Sequence, residues 1–184
     1  MVLLHTPQKA EGFTAPNFKL KGTDGAMHTL ESCMGENGLV IAFICNHCPY
    51  VIAVIDRFVE TSKKLQQNKI GCVAIMPNDT INYPADSFEN MKKFSEKYAF
   101  TFPYLIDETQ HIAKDYDAVC TPDFFGFNEQ AELKYRGRLD SAANNPADID
   151  TKPELLDTML AIATHQPAPE NQKPSLGCSI KWKA

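Results

Sequence analysis

The apolar run Leu39-Val40-Ile41-Ala42-Phe43-Ile44 stops at Cys45-Asn46-His47-Cys48, and past it Val51, Ile52, Ile55, Phe58, Val59 and Ser62 recur with the period of a helix. A chain of this kind must fold a strand straight into an amphipathic helix, and the junction carries two thiols three positions apart. Backbone N–H groups without helical partners and the positive end of the helix dipole gather at such a junction, and both favour a thiolate over a thiol. The spacing also lets the second sulfur attack a mixed disulfide formed on the first. This reading places the first sulfur, Cys45, near the helix terminus as the attacking group and shields Cys48 as the resolving one.

The remaining pattern alternates strand and helix. A helix is expected from just after Cys48 to about Gln67, and a buried strand over Ile70–Met76 ended by Pro77-Asn78-Asp79. Asp86 with Glu89 reads as a capping box opening a second helix with Phe88, Met91, Ser95 and Tyr98 on one face. A short strand near Tyr104-Leu105-Ile106, a short helix around Gln110 to Tyr116 and a strand over Thr121–Phe127 follow. Glu132 to Leu139 alternates strictly, which predicts a second hairpin arm with Arg136 and Arg138 on a wet face. Thr151, Pro153 and Glu154 are expected to cap a last helix carrying Leu155, Leu156, Met159, Leu160 and Ala163. The order is β-α-β-α-β-α-β-β-α. At 184 residues and 43% hydrophobic content, one compact α/β domain over 1–184 is expected, with 166–184 an extended C-terminal tail.

A net charge of −5 without a Lys/Arg cluster speaks against nucleic-acid binding, and the apolar stretches are too interrupted for a membrane span. The first residues lack the basic region of a signal peptide, so a cytoplasmic protein is expected. Six cysteines in such a compartment are thiols rather than a disulfide framework. Cys33 and Cys72 read as small buried hydrophobes.

Cys-x-x-Cys after a strand, Thr121-Pro122 opening a later one, then a hairpin and a closing helix resemble the thioredoxin fold, a central mixed β-sheet flanked by helices. Gly12-Phe13-Thr14-Ala15-Pro16-Asn17-Phe18-Lys19-Leu20 resembles the N-terminal entry of redoxins of the AhpC/TSA type. Cys45-Asn46-His47-Cys48-Pro49-Tyr50-Val51, Cys120-Thr121-Pro122-Asp123-Phe124-Phe125 and Gly177-Cys178-Ser179-Ile180-Lys181-Trp182-Lys183 are similar to peroxiredoxin-like proteins of the thioredoxin family. Two departures stand out. The peroxiredoxin frame Pro-x-x-x-Thr-x-x-Cys fits neither thiol: Cys45 and Ile41 precede Cys48, and Ala42 and Gly38 precede Cys45, so no peroxide-orienting hydroxyl is expected. Thioredoxin's Trp and Gly-Pro are replaced by Ile44 and Asn46-His47, and the histidine resembles that of disulfide-forming oxidoreductases.

The resemblance implies a cis Thr121–Pro122 bond facing the thiol pair and shaping the substrate groove. It also makes Cys120 a candidate third redox thiol, or simple packing, and Cys178 a tail thiol that seals the surface or resolves a second time. The expected activity is thiol:disulfide exchange in which Cys45 attacks, Cys48 resolves and His47 tunes. The alternatives are a thiol-dependent, antioxidant peroxidase acting through a sulfenic acid, and a zinc- or copper-binding module using Cys45, Cys48 and Cys120 or His47. No cofactor is implied. Expected partners are thiol or disulfide proteins, small oxidants, and a reductant of the thioredoxin or glutathione type.

Overall fold

The computed structural model describes residues 2–8 and 12–183. Among these described residues, ten strands and five α-helices follow in order: β1 (Leu3–His5), β2 (Lys19–Gly22), β3 (Met27–Thr29), α1 (Leu30–Cys33), β4 (Leu39–Phe43), α2 (Pro49–Gln67), β5 (Gly71–Met76), α3 (Phe88–Lys97), β6 (Tyr104–Ile106), α4 (His111–Asp115), β7 (Cys120–Thr121), β8 (Asp123–Phe127), β9 (Leu133–Gly137), α5 (Glu154–Ala163) and β10 (Leu176–Ser179). Seven strands form a mixed sheet in the order β3-β2-β6-β5-β4-β8-β9. At its centre β4, β5 and β6 run parallel, and β8 returns antiparallel beside β4.

The central strands are covered on both faces, which explains why β4 is an unbroken apolar run rather than an alternating one. Val40 and Ala42 face α2, α3 and α5 through Ile55, Phe58, Met91, Phe94, Leu155 and Met159. Leu39, Ile41 and Phe43 face the opposite layer with Leu30, Ala113 and Tyr116. Phe58 anchors α2, its ring 5.0 Å from Phe102 and 5.2 Å from Phe124. Burying a side chain of this size stabilises by about 1.5–3 kcal/mol, which holds the helix that carries the thiol junction.

Four details depart from the sequence-based expectation. Ser87, not Asp86, caps α3, with its hydroxyl accepting from the Asn90 N–H; Asp86 ends a single 3₁₀ turn, Pro84–Asp86, and is buried. Pro153 takes the N-cap position of α5 without a side-chain cap, because the Thr151 hydroxyl is engaged with Asp148. The wet face expected for β9 is partly closed, with Arg136 dry and Lys134 and Arg138 half-buried. Arg136 is buried against Asp123 at 2.9 Å, Arg138 is clasped by Glu154, and the backbone N–H groups of Arg136 and Arg138 donate to the Gln172 side chain and the Lys173 carbonyl. Finally, the chain changes sheets at Pro122: β7 belongs to a second sheet, β1-β10-β7, while β8 joins the central one.

β10 lies within the tail and is gripped on both edges. Leu3↔Cys178 and His5↔Leu176 pair it with β1, and Cys178↔Thr121 and Ser179↔Cys120 pair it with β7. Among the described residues, no helix is long and apolar enough to cross a membrane.

Candidate active site

The site is built where β4 ends and α2 begins. Ile44 still donates to the Ile75 carbonyl, after which the chain leaves the sheet through Cys45 to Cys48. Cys48 is the N-cap of α2 and Pro49 its first residue, a position that needs no N–H donor. The helix terminus therefore surrounds Cys48 and not Cys45, which corrects the expectation that the first sulfur lies nearest the helix start. Both sulfurs are buried, Cys45 to 1% and Cys48 to 0% exposure, so neither projects into solvent.

Thr121–Pro122 is cis and sits against the pair. The Thr121 hydroxyl is 3.3 Å from Cys45 Sγ, and the Thr121 carbonyl is 3.2 Å from Cys48 Sγ. Cys178 Sγ lies 2.8 Å from Cys48 Sγ. All six cysteines are thiols.

The two sulfurs of the motif share a proton. Cys48 is brought down to about 5, first by the Cys45 thiol donating to it, then by donation from Cys178 and from the Val51 backbone, against the cost of burial. The Thr121 carbonyl works the other way, since a lone pair prefers an S–H, but several donors outweigh one acceptor. Cys45 is pushed well above the thiol range because it gives its hydrogen bond to Cys48, is buried, and faces the Asp86 carboxylate. Cys178 rises to about 12 through burial and its place beside Cys48. In the dithiol form the charge therefore rests on the central sulfur, Cys48.

A second group of side chains surrounds Cys45. The Asp86 carboxylate accepts from the Asn46 backbone N–H and from Asn78 Nδ2, each at 2.8 Å. His47 Nδ1 stands 2.8 Å from Asp86 Oδ2, at ion-pair distance but without hydrogen-bond alignment. Tyr104 donates to the Asn46 side chain at 2.9 Å and fixes the loop. Ligand atoms of Cys45, His47 and Asp86 all fall within 4.8 Å of one another. This sulfur, nitrogen and oxygen set is chemically suited to zinc, and it differs from the thiol-rich set that the sequence suggested.

Cys120, the candidate third redox thiol, is buried with its sulfur 4.0 Å from the Pro122 carbonyl. Burial and the neighbouring Asp123 hold it firmly protonated. Asp86, Asn78 and Tyr104 escaped sequence reasoning. Asp86 looked like a local cap, and the 40 residues between it and Asn46 leave no spacing signal. Two cavities, of about 520 and 580 Å³, are lined by no cysteine.

A mixed sheet, a Cys-x-x-Cys between strand and helix, and a cis X-Pro bond against it define a thioredoxin-fold protein of the redoxin type. The chain belongs to the AhpC/TSA family, whose model matches residues 12–136. Along its whole length it is similar to an uncharacterized conserved protein from Geobacillus kaustophilus, with 42% identity, 100% of this chain and 97% of that chain covered, and a TM-score of 0.94. A hypothetical protein from Sinorhizobium meliloti matches at 31% identity, 98% of each chain and a TM-score of 0.92. The peroxidoxin BcpB from Mycobacterium tuberculosis shares the fold alone, at 16% identity over 84% of this chain and 96% of that one, with a TM-score of 0.61.

Proposed function

We propose that the chain is a thiol:disulfide oxidoreductase whose Cys45–Cys48 pair, as a disulfide, accepts two electrons from substrate thiols. The observation that carries this is the position of Cys48: at the N-cap of α2 and beside two thiol donors, it is an unusually good leaving sulfur. A substrate thiolate attacks Cys45 Sγ; the Cys45–Cys48 bond breaks and its electron pair leaves on Cys48. A second substrate thiolate then attacks the substrate sulfur of the mixed disulfide. The substrate disulfide departs and Cys45 takes up a proton, which the adjacent Asp86 carboxylate favours. A low leaving-group pKa speeds the first step, and stabilising the reduced form makes the disulfide a stronger oxidant. In reverse, the Cys48 thiolate resolves a mixed disulfide on Cys45. Thr121 and Pro122 orient the sulfurs, and His47 stands 2.8 Å from the Asp86 carboxylate beside Cys45. Its partners are thiol or disulfide proteins, turned over by small thiols or oxidants.

The test is equilibration in glutathione redox buffers, followed by site-resolved alkylation. The expected result is a Cys45–Cys48 disulfide with a potential well above the roughly −270 mV of thioredoxin, toward the roughly −120 mV of DsbA. A couple at the thioredoxin value, or no disulfide between these residues, would overturn the reading.

One observation favours a second reading, thiol peroxidase. The hydroxyl that the sequence frame lacks is supplied from elsewhere in the fold, with Thr121 Oγ1 3.3 Å from Cys45. Against it, peroxide needs a thiolate, and Cys45 is the member of the pair held protonated. Fast, saturable sulfenic acid formation on Cys45 in dilute hydrogen peroxide would make this the leading activity.

A further inference from the structure

The backbone edge of Thr121, beside the cis proline, is taken by a strand of the same chain. β10 adds itself antiparallel to β7 and sets Cys178 directly opposite Thr121, as an extended peptide does when it adds to a sheet edge. The placement is specific. Gly177 packs so closely that a Cβ there would stand 2.1 Å from the Thr121 carbonyl oxygen, so only glycine allows the strand this approach. Ser175 Oγ donates to the Pro122 carbonyl at 2.7 Å. Past the strand, Lys181 donates its N–H to Asn78 Oδ1, the same amide whose nitrogen holds Asp86. The tail is thus fastened both to the cis-proline turn and to the carboxylate beside Cys45.

From this arrangement we propose that Cys178 is the third thiol of a relay, which moves the disulfide from Cys45–Cys48 to Cys48–Cys178. The proposal rests on the exchange chemistry given above and deepens it. Cys178 Sγ attacks Cys48 Sγ; the Cys48–Cys178 bond forms as the Cys45–Cys48 bond breaks. Cys45 receives the electron pair and the proton that Cys178 gives up, so the step is an internal isomerisation that needs no added oxidant. Cys48 is suited to the middle position because it touches both neighbours. The product returns Cys45 to the thiol state beside His47 and Asp86, and ties the tail covalently to the start of α2.

The experiment treats the full-length wild type and the Cys45→Ser variant with glutathione disulfide and maps the cysteines by alkylation and mass spectrometry. In Cys45→Ser the relay predicts that Cys178 displaces glutathione from Cys48. The protein then ends lighter by two hydrogen atoms, and alkylation of Cys48 and Cys178 is lost together. In the wild type, both the Cys45–Cys48 and the Cys48–Cys178 disulfides are expected. A lasting glutathione adduct on Cys48, with Cys178 still fully alkylated, overturns the relay. So does wild-type protein that yields Cys45–Cys48 alone, a result that leaves the exchange reading standing even if the variant fails to fold. Wild-type protein that yields only Cys48–Cys178, with no Cys45–Cys48 disulfide at any time point, overturns the exchange reading and with it the relay, which starts from that disulfide.

Discussion

Replacing Cys48 by serine removes the sulfur on which the reduced site places its charge, and the cost of doing so should depend steeply on pH. The folded thiol is depressed from 9.0 to about 5, so its ionised form stabilises the reduced fold above the unfolded value, and that contribution is lost as pH falls through about 5. Each unit of difference is worth about 1.4 kcal/mol, which makes the thiolate worth about 4 kcal/mol at pH 8 and almost nothing at pH 5. Cys48 is fully buried, so solvent screening does not reduce the figure. Cys45 and Cys178 are both raised and stay protonated below pH 9 in the wild type; in the variant the part of the rise due to Cys48 is lost, but burial of both and Asp86 beside Cys45 still oppose their ionisation, so neither adds a pH dependence over this interval. Serine does not titrate in this range. Denaturant unfolding of reduced wild type and Cys48→Ser should therefore give curves of stability against pH that approach one another toward pH 5 and separate by about 4 kcal/mol at pH 8. The thiolate ultraviolet absorbance should vanish over the same interval in the wild type alone. Parallel stability curves would show that Cys48 carries no resting charge, and the argument for it as the leaving sulfur would fall.

Three further outcomes follow from the same geometry. Asp86→Asn removes the carboxylate that opposes ionisation of Cys45, so the midpoint of its alkylation should move to lower pH, read by site-resolved mass spectrometry. Gly177→Ala forces a Cβ against the Thr121 carbonyl; it should cost about 1–3 kcal/mol in urea unfolding and speed alkylation of Cys48 as β10 lifts. Arg136→Met leaves Asp123 buried without its cation, at a cost of about 3–5 kcal/mol. Because burial has raised Asp123 to about 7, that loss should deepen as pH rises and the carboxyl ionises, which unfolding at pH 5 and pH 8 will measure.

The amino-acid order alone determined the central elements. The helix after Cys48 and the strands at Gly71–Met76 and Tyr104–Ile106 appear within a residue or two of their expected bounds, because burial on one stripe or on two faces writes a period into the chain. The thiol pair was legible because it lies in residues adjacent in sequence, whereas the cis Thr121–Pro122 bond was expected only through the resemblance to the thioredoxin fold. What the sequence could not show is which sulfur holds the charge. That depends on where the helix starts to within a few residues, on donors from Cys178 at the far end of the chain, and on Asp86, which presents itself locally as a cap. The burial of Arg136 on β9 escaped for the same cause, since an arginine in an alternating strand looks solvated until Asp123 and the tail close over it. Periodicity reports how one segment meets the core, whereas electrostatics sums over groups brought together from the whole chain, so only the tertiary structure decided the chemistry of the site.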